Sequence, residues 1–284
     1  MVLFGPAGTP DGFFEKGYKK SLQLPDFLEE AGLDLFEYQC GNGVTVGEAT
    51  ARKLGEVFRA KNKILSVHAP YFISLSSVEE EKRNNSIGYI LKTARVADWM
   101  GAERIVVHSG SCAKISREEA LALAKDTLAR ASQALKAEGL SHIVVCPETM
   151  GKINQLGTLD EVLELCRVND SFLPTVDFGH LNARTRGEIV GKEDYLRILD
   201  RIEDRIGEDR MRRMHVHFSK IEYTSGGEKK HLTFEDTVFG PDFEPLAEVL
   251  VQKNSCAHII CESAGTQDID SISMQRAYRA ALEV

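Results

Sequence analysis

Eight short apolar runs recur along this chain, and most are followed by a stretch with apolar residues at helical spacing. The runs are Val2–Gly5, Leu33–Gln39, Ile64–His68, Arg104–His108, His142–Glu148, Leu173–Asp177, Arg213–Phe218 and Ala257–Glu262. The intervening stretches Thr45–Ala60, Glu79–Met100, Arg117–Glu138, Leu159–Arg167, Lys192–Ile206, Phe243–Lys253 and Ser271–Glu283 repeat apolar residues every three or four positions, the signature of a helix with one buried face. Ser116 and Thr158 stand where helix N-caps belong, the latter with Glu161 three residues on. Eight strand–helix alternations in 284 residues predict a parallel closed (β/α)₈ TIM barrel of the α/β class, read as a single domain over residues 1–284. An open doubly wound sheet is the alternative, but it needs fewer strands.

Composition narrows the setting. No apolar run approaches the roughly 20 residues of a membrane helix, and the N-terminus lacks the basic start and apolar core of a secretion signal. The six cysteines form no CxxC pair and several lie in apolar runs, which fits a reducing cytoplasm better than a disulfide framework. A net charge of −8 argues against a broad nucleic-acid-coating surface, though not against a local basic groove. A cytoplasmic protein without a membrane partner, and a monomer, is expected.

The carboxyl ends of the runs carry the chemistry. His68, His108, Glu148, Asp177 and Glu262 end the third, fourth, fifth, sixth and eighth runs, and His215 and His217 lie in the seventh. In a barrel these ends converge on one face. An isolated ionisable group in such apolar surroundings would be costly to bury, so six consecutive strands carrying them at one end point to a shared purpose. His142 and His258 sit at the starts of their runs, on the opposite face, and receive no role. The stretch Asp177-Phe178-Gly179-His180 either brings His180 back beside Asp177 through the glycine or places Asp177 as the cap of a following helix. The inventory, with His180 and His231 added, exceeds what one ion needs and suggests at least two. Glu148, near its middle, is the natural bridge. Imidazole and carboxylate ligands suit zinc, manganese or iron.

Four segments resemble endonuclease IV, a family of metal-dependent abasic-site endonucleases within the xylose-isomerase-like TIM barrels. His68-Ala69-Pro70-Tyr71-Phe72-Ile73 is similar to its HAPYLIN-type segment, Val107-His108-Ser109-Gly110 to its HPG-type turn, Asp177-Phe178-Gly179-His180 to its D-x-x-H, and Met214-His215 with Ser219-Lys220 to its MHLND-x-K stretch. The resemblance implies hydrolysis of DNA on the 5′ side of abasic sites, as in DNA repair, by a hydroxide held between metals. It places His68, His108 and Glu148 on a first ion and Glu148, Asp177, His215 and Glu262 on a second. His180 and His231 fall to a third. Two or three divalent ions, zinc above all, are implied, with Glu148 and Glu262 carrying the chemistry. Tyr71 matches a residue that helps open the duplex; Lys220 is read as a substrate contact, and His217 as a substrate contact or an unusual ligand. The chain departs from the family in four places. His217 stands where asparagine is usual, and Lys229 where the third site's aspartate is expected, with Glu228 the nearest carboxylate. Cys40–Val44 lacks an inserted arginine, and Gly5–Gly8 lacks a histidine. A single-metal sugar isomerase or epimerase on the same barrel is the competing reading. It would use Glu148, Asp177, His215 and Glu262, but has no need for the additional histidines. A catalytically idle metal-binding or DNA-binding module is a third.

Overall fold

A computed structural model describes residues 1–283. Eight parallel strands form a nearly closed barrel: β1 (Leu3–Pro6), β2 (Leu35–Gln39), β3 (Ile64–His68), β4 (Arg104–His108), β5 (Val144–Glu148), β6 (Thr175–Asp177), β7 (His215–Phe218) and, after an antiparallel hairpin of β8 (Ile221–Thr224) and β9 (Gly227–His231), β10 (His258–Cys261). Continuous ladders run from β2 through β3, β4, β5, β6, β7 and β10 to β1. The seam between β1 and β2 is narrower. Asp34 N–H donates to Phe4 O at 2.9 Å, Gly8 N–H donates to Glu37 O at 2.9 Å, and Ala7 pairs with Glu37.

The main apolar core lies between strands and helices. Phe4, Phe36, Val67, Ile105, Val107, Val145, Val176, Val216, Phe218 and Ile259 face outward from the barrel onto the helical ring and are buried there. Alternation sends the neighbouring residues inward. The barrel interior is apolar only in patches, with Leu35, Ala7 and Ile260 in one and Val106, Cys146 and Leu173 in another. The two expected caps form: Ser116 Oγ accepts from Glu119 N–H at 3.2 Å, and Thr158 Oγ1 from Glu161 N–H at 3.3 Å. No helix among the described residues is long and apolar enough to cross a membrane.

Four short helices escape the apolar-run reading: Asp11–Glu15, Leu24–Ala31, Phe178–Thr185 and Glu208–Arg212. The third matters most. It follows β6 without a linker, and Asp177 Oδ1 accepts from His180 N–H at 2.7 Å, which caps its first turn. Phe178 anchors it to the outer core with ring centroids 5.2 Å from Tyr195 and 6.5 Å from Phe218. Burying a phenylalanine side chain contributes roughly 1.5–3 kcal/mol, so the turn carrying Asp177 and His180 is firmly seated. Gly179 adopts helical geometry rather than a special turn. A Cβ there would lie 2.5 Å from Ser219 O, so glycine is required for close approach to the segment after β7.

Candidate metal centre

Three clusters of potential ligands line the carboxyl-terminal mouth, and a fourth group at ligand spacing, Glu37, His215 and His217, lies beneath them. His68 Nε2 and His108 Nε2 lie 3.5 and 3.3 Å from Glu148 Oε2. Glu148, Asp177, His217 and Glu262 form a second cluster, with His217 Nδ1 3.0 Å from Glu148 Oε1 and 3.4 Å from Glu262 Oε1. His180, Glu228 and His231 form a third, with His180 Nε2 3.4 Å from Glu228 Oε2. Ligands bound at about 2.1 Å to a tetrahedral ion lie roughly 3.4 Å apart. Separations of 3.3–3.5 Å occur in all three clusters. Glu148 Oε2 and Asp177 Oδ2 are buried and lack an aligned hydrogen bond, so each retains acceptor capacity turned into the protein. The donor set therefore fits divalent cations.

Fixed acceptors orient the rings. His68 Nδ1 lies 2.8 Å from Ala69 O, and His180 Nδ1 lies 2.9 Å from Thr149 O. A carbonyl can only accept, so each Nδ1 carries a proton and Nε2 is the nitrogen that would serve as ligand once its own proton is released. His231 Nδ1 lies 2.8 Å from Ser219 Oγ. Asp177 and His180 thus divide their duties. Asp177 both caps its helix and faces the central cluster, while His180 turns Nε2 toward Glu228 and His231.

Burial and charge pull the ionisable groups in opposite directions. Burial alone would raise the Glu148 carboxyl, but His217, His68 and His108 hold it well below the ordinary carboxylate range. Burial pushes Glu262 up to about 8 against the pull of His217, and Asp177 and Glu148 add to the rise. Burial would lower His180, yet Asp177, Glu228 and Glu148 lift it to about 9. His108, in contrast, is lowered by burial to about 4. Without a cation, the clusters therefore retain protons near neutral pH on Glu262, on His180 and on His217, which burial would lower but Glu262, Glu37 and Glu148 raise well above the ordinary imidazole range. A divalent ion supplies the same compensating charge.

Above the clusters opens a cleft of about 410 Å³, lined by His68, Tyr71, His108, Glu148, Met150, Lys152, Gln155, His180, Glu228, His231 and Glu262. Tyr71 stacks on His108 with centroids 5.7 Å apart and is exposed. The loop carrying Lys152 and Gln155 is held from below. Arg184 donates to Met150 O, Lys152 O and Gln155 O at 2.9, 2.8 and 2.7 Å, and Arg117 donates to Ile153 O and Gln155 O at 3.0 Å each.

The structure revises several expectations. His217, rather than His215, joins Glu148, Asp177 and Glu262. The helix Glu208–Arg212 delays β7, which starts at His215 and sets His217 level with Asp177 on β6 and Ile260 on β10. His215 faces the same way one barrel layer deeper, with Nε2 2.9 Å from Glu37 Oε2. His217 is accordingly a ligand candidate and is sealed from substrate, being fully buried. Lys220 does not line the cleft; its ammonium donates to Asp236 O at 2.6 Å and pairs with Asp242 at 3.2 Å. Glu228 supplies the carboxylate missing at Lys229, because the hairpin turns Glu228 inward while Lys229 pairs with Glu222 at 2.5 Å. His142 is exposed beside Asp98, and His258 begins β10 at the opposite end of the barrel. Two residues were missed. Glu37 sits mid-strand, and an inventory of strand ends passes over it, although a lone acid within Leu35-Phe36-Glu37-Tyr38-Gln39 was a visible signal. Lys152 lies in a loop with no pattern to mark it.

A family model described as xylose isomerase-like TIM barrel matches residues 25–284. An uncharacterised protein of Methanocaldococcus jannaschii is 34% identical over 278 residues, covering 98% of this chain and 97% of its own. A probable endonuclease 4 of Aquifex aeolicus is 26% identical over 232 residues, 78% of each chain. Among solved structures, endonuclease IV from Thermus thermophilus superposes with a TM-score of 0.69 at 19% identity, covering 99% of this chain and 98% of that one. A D-tagatose 3-epimerase-like protein reaches 0.71 at 20% identity, covering 91% and 92%. With the barrel and its strand-end ligand clusters, these matches establish that the chain belongs to the xylose isomerase-like TIM-barrel family that includes endonuclease IV.

Proposed function

We propose that this protein is a metal-dependent phosphodiester hydrolase that cleaves DNA 5′ to abasic sites. The carrying observation is the third cluster: His180, Glu228 and His231 stand beside the Glu148-centred groups at one mouth. A sugar isomerase or epimerase needs only the Glu148, Asp177, His217 and Glu262 set, which leaves His68, His108 and the third cluster without employment. The relatives named probable endonuclease 4 support the same reading.

His68, His108 and Glu148 would hold one cation, Glu148, Asp177, His217 and Glu262 a second, and His180, Glu228 and His231 a third. When bound, zinc or a similar ion supplies Lewis-acid activation of water and neutralises charge on the phosphate. The residues do the remainder. Glu148 turns Oε2 toward His68 and His108 and Oε1 toward His217, so one carboxylate ties two groups together. Glu262, whose carboxyl burial raises to about 8 in the ion-free cluster, would give up that proton on becoming a ligand. Lys152 brings a positive charge to the cleft without lying among the ligands, as a phosphate contact requires. Exposed Tyr71, which lines the cleft, offers a flat apolar surface to an unstacked base.

The test is a duplex carrying one stable abasic analogue, incubated with zinc-loaded protein. Incision on the 5′ side leaving a 3′-hydroxyl, abolished by chelator, is expected. An uncut duplex together with interconversion of ketoses would establish the sugar reading instead.

A further inference from the structure

Glu37 is fully buried in the barrel interior, where these folds ordinarily stack branched apolar side chains. A carboxylate in that position is costly unless polar partners surround it. Glu37 has four. Ser66 Oγ donates to Oε2 at 2.9 Å, and His215 Nε2 lies 2.9 Å from the same oxygen. Gln39 Nε2 donates to Oε1 at 3.2 Å, and His217 Nε2 lies 3.0 Å from it. His217 therefore spans two layers. Nε2 faces Glu37 below, and Nδ1 faces Glu148 and Glu262 above.

His68 and His180 each set one nitrogen against a fixed acceptor and offer the other to the clusters, whereas His217 Nε2 lies 3.0 Å from Glu37 Oε1 without an aligned hydrogen bond and Nδ1 bonds Glu148 Oε1 at 3.0 Å. We propose that Glu37 is a positioning residue for the central cluster: once an ion takes Nδ1 of His217 in place of its hydrogen bond to Glu148, Glu37, 3.0 Å from Nε2, holds the remaining proton there and fixes the ring among Glu148, Asp177 and Glu262, while His215 and Ser66 hold Glu37 in place. The proposal rests on the metal-centre reading above. It explains why a second histidine, His215, lies beneath the ligand histidine with no access to the cleft. Outer-shell carboxylates of this kind orient the imidazole and strengthen it as a ligand.

Glu37→Gln keeps the shape and removes the charge. Metal-free wild type and variant are titrated with zinc against a competing chelator, with thermal denaturation of both metal-free forms alongside. The expected result is a roughly 10–100-fold loss of affinity for one ion, with the remaining ions unchanged. Equal affinity for every ion overturns the proposal. A wild type that binds no ion defeats the metal-centre reading itself, a separate outcome. Should the variant not fold, nitrogen NMR of the imidazoles in zinc-loaded wild type decides: Nδ1 metallated and Nε2 protonated on His217 supports the proposal, and the reverse overturns it.

Discussion

Gly151→Ala isolates the third cluster. The backbone of Gly151 does not occupy the left-handed region, so the effect of a side chain there is steric. The new Cβ would stand 2.5 Å from Glu228 Cβ, 2.9 Å from Glu228 Oε2 and 2.9 Å from His180 Cδ2. Carbon atoms in contact rest about 3.5–4.0 Å apart, so Glu228 must retreat by about 1 Å or more. Its backbone resists, because Glu228 N–H donates to Gly151 O at 3.1 Å and Lys152 bridges to Gly227. Overpacking of this kind costs about 1–3 kcal/mol. If that strain falls on the arrangement of Glu228 and His180, one ion binds roughly 5–150-fold more weakly. Calorimetric titration of metal-free protein with zinc, backed by elemental analysis after dialysis, measures this directly. The ions held by His68, His108, Glu148, Asp177, His217 and Glu262 should bind as in wild type. Wild-type affinity for every ion in Gly151→Ala would refute the steric argument. Simultaneous loss of all ions, or a wild type that takes up no third ion, would refute the separateness of the third cluster.

Two further outcomes follow from the electrostatics and the loop. Glu262 is raised to about 8 and His180 to about 9 in the metal-free protein, so both carry protons at pH 7 that a cation must displace. Metal uptake should therefore release protons, and affinity should rise with pH through the range of about 8–9; calorimetry in buffers of different ionisation enthalpy measures the release, and affinity flat from pH 6 to 9 would contradict the assignment. Arg184→Leu removes the donor to three carbonyls of the Lys152 loop and should cost about 1–3 kcal/mol, with faster amide exchange confined to residues 150–155; an unchanged melting temperature and unchanged exchange would show that Arg117 suffices.

The barrel and its polar mouth were legible because both rest on short-range regularities. Strand alternation and helical spacing are written locally, and a residue ending an apolar run must reach the carboxyl face once the sheet is parallel. His68, Glu148, Asp177 and Glu262 stand out that way and fall into the ligand groups around His217, while His108 lies 3.3 Å from Glu148 without joining one of those groups. His180 and His231 came from the family resemblance and the count of ligands, and they meet because a hairpin folds back over the mouth.

What tertiary structure alone decided is register and layer. His215 and His217 are alternate residues of one strand and face the same way, so periodicity cannot choose between them. The choice comes from where β7 begins and from its pairing with Asp177 and Ile260. Glu228 and Lys229 are neighbours in sequence, and only the bulged pairing of β8 with β9 turns one inward and the other toward Glu222. Glu37 meets His215 and His217 across 178 and 180 residues of chain, through the interior of a barrel that had to close first. Local sequence chooses the side of a strand that a residue faces. Closure of the sheet chooses its height and its company, and at this mouth those two quantities set His217 among Glu148, Asp177 and Glu262 and His215 beside Glu37.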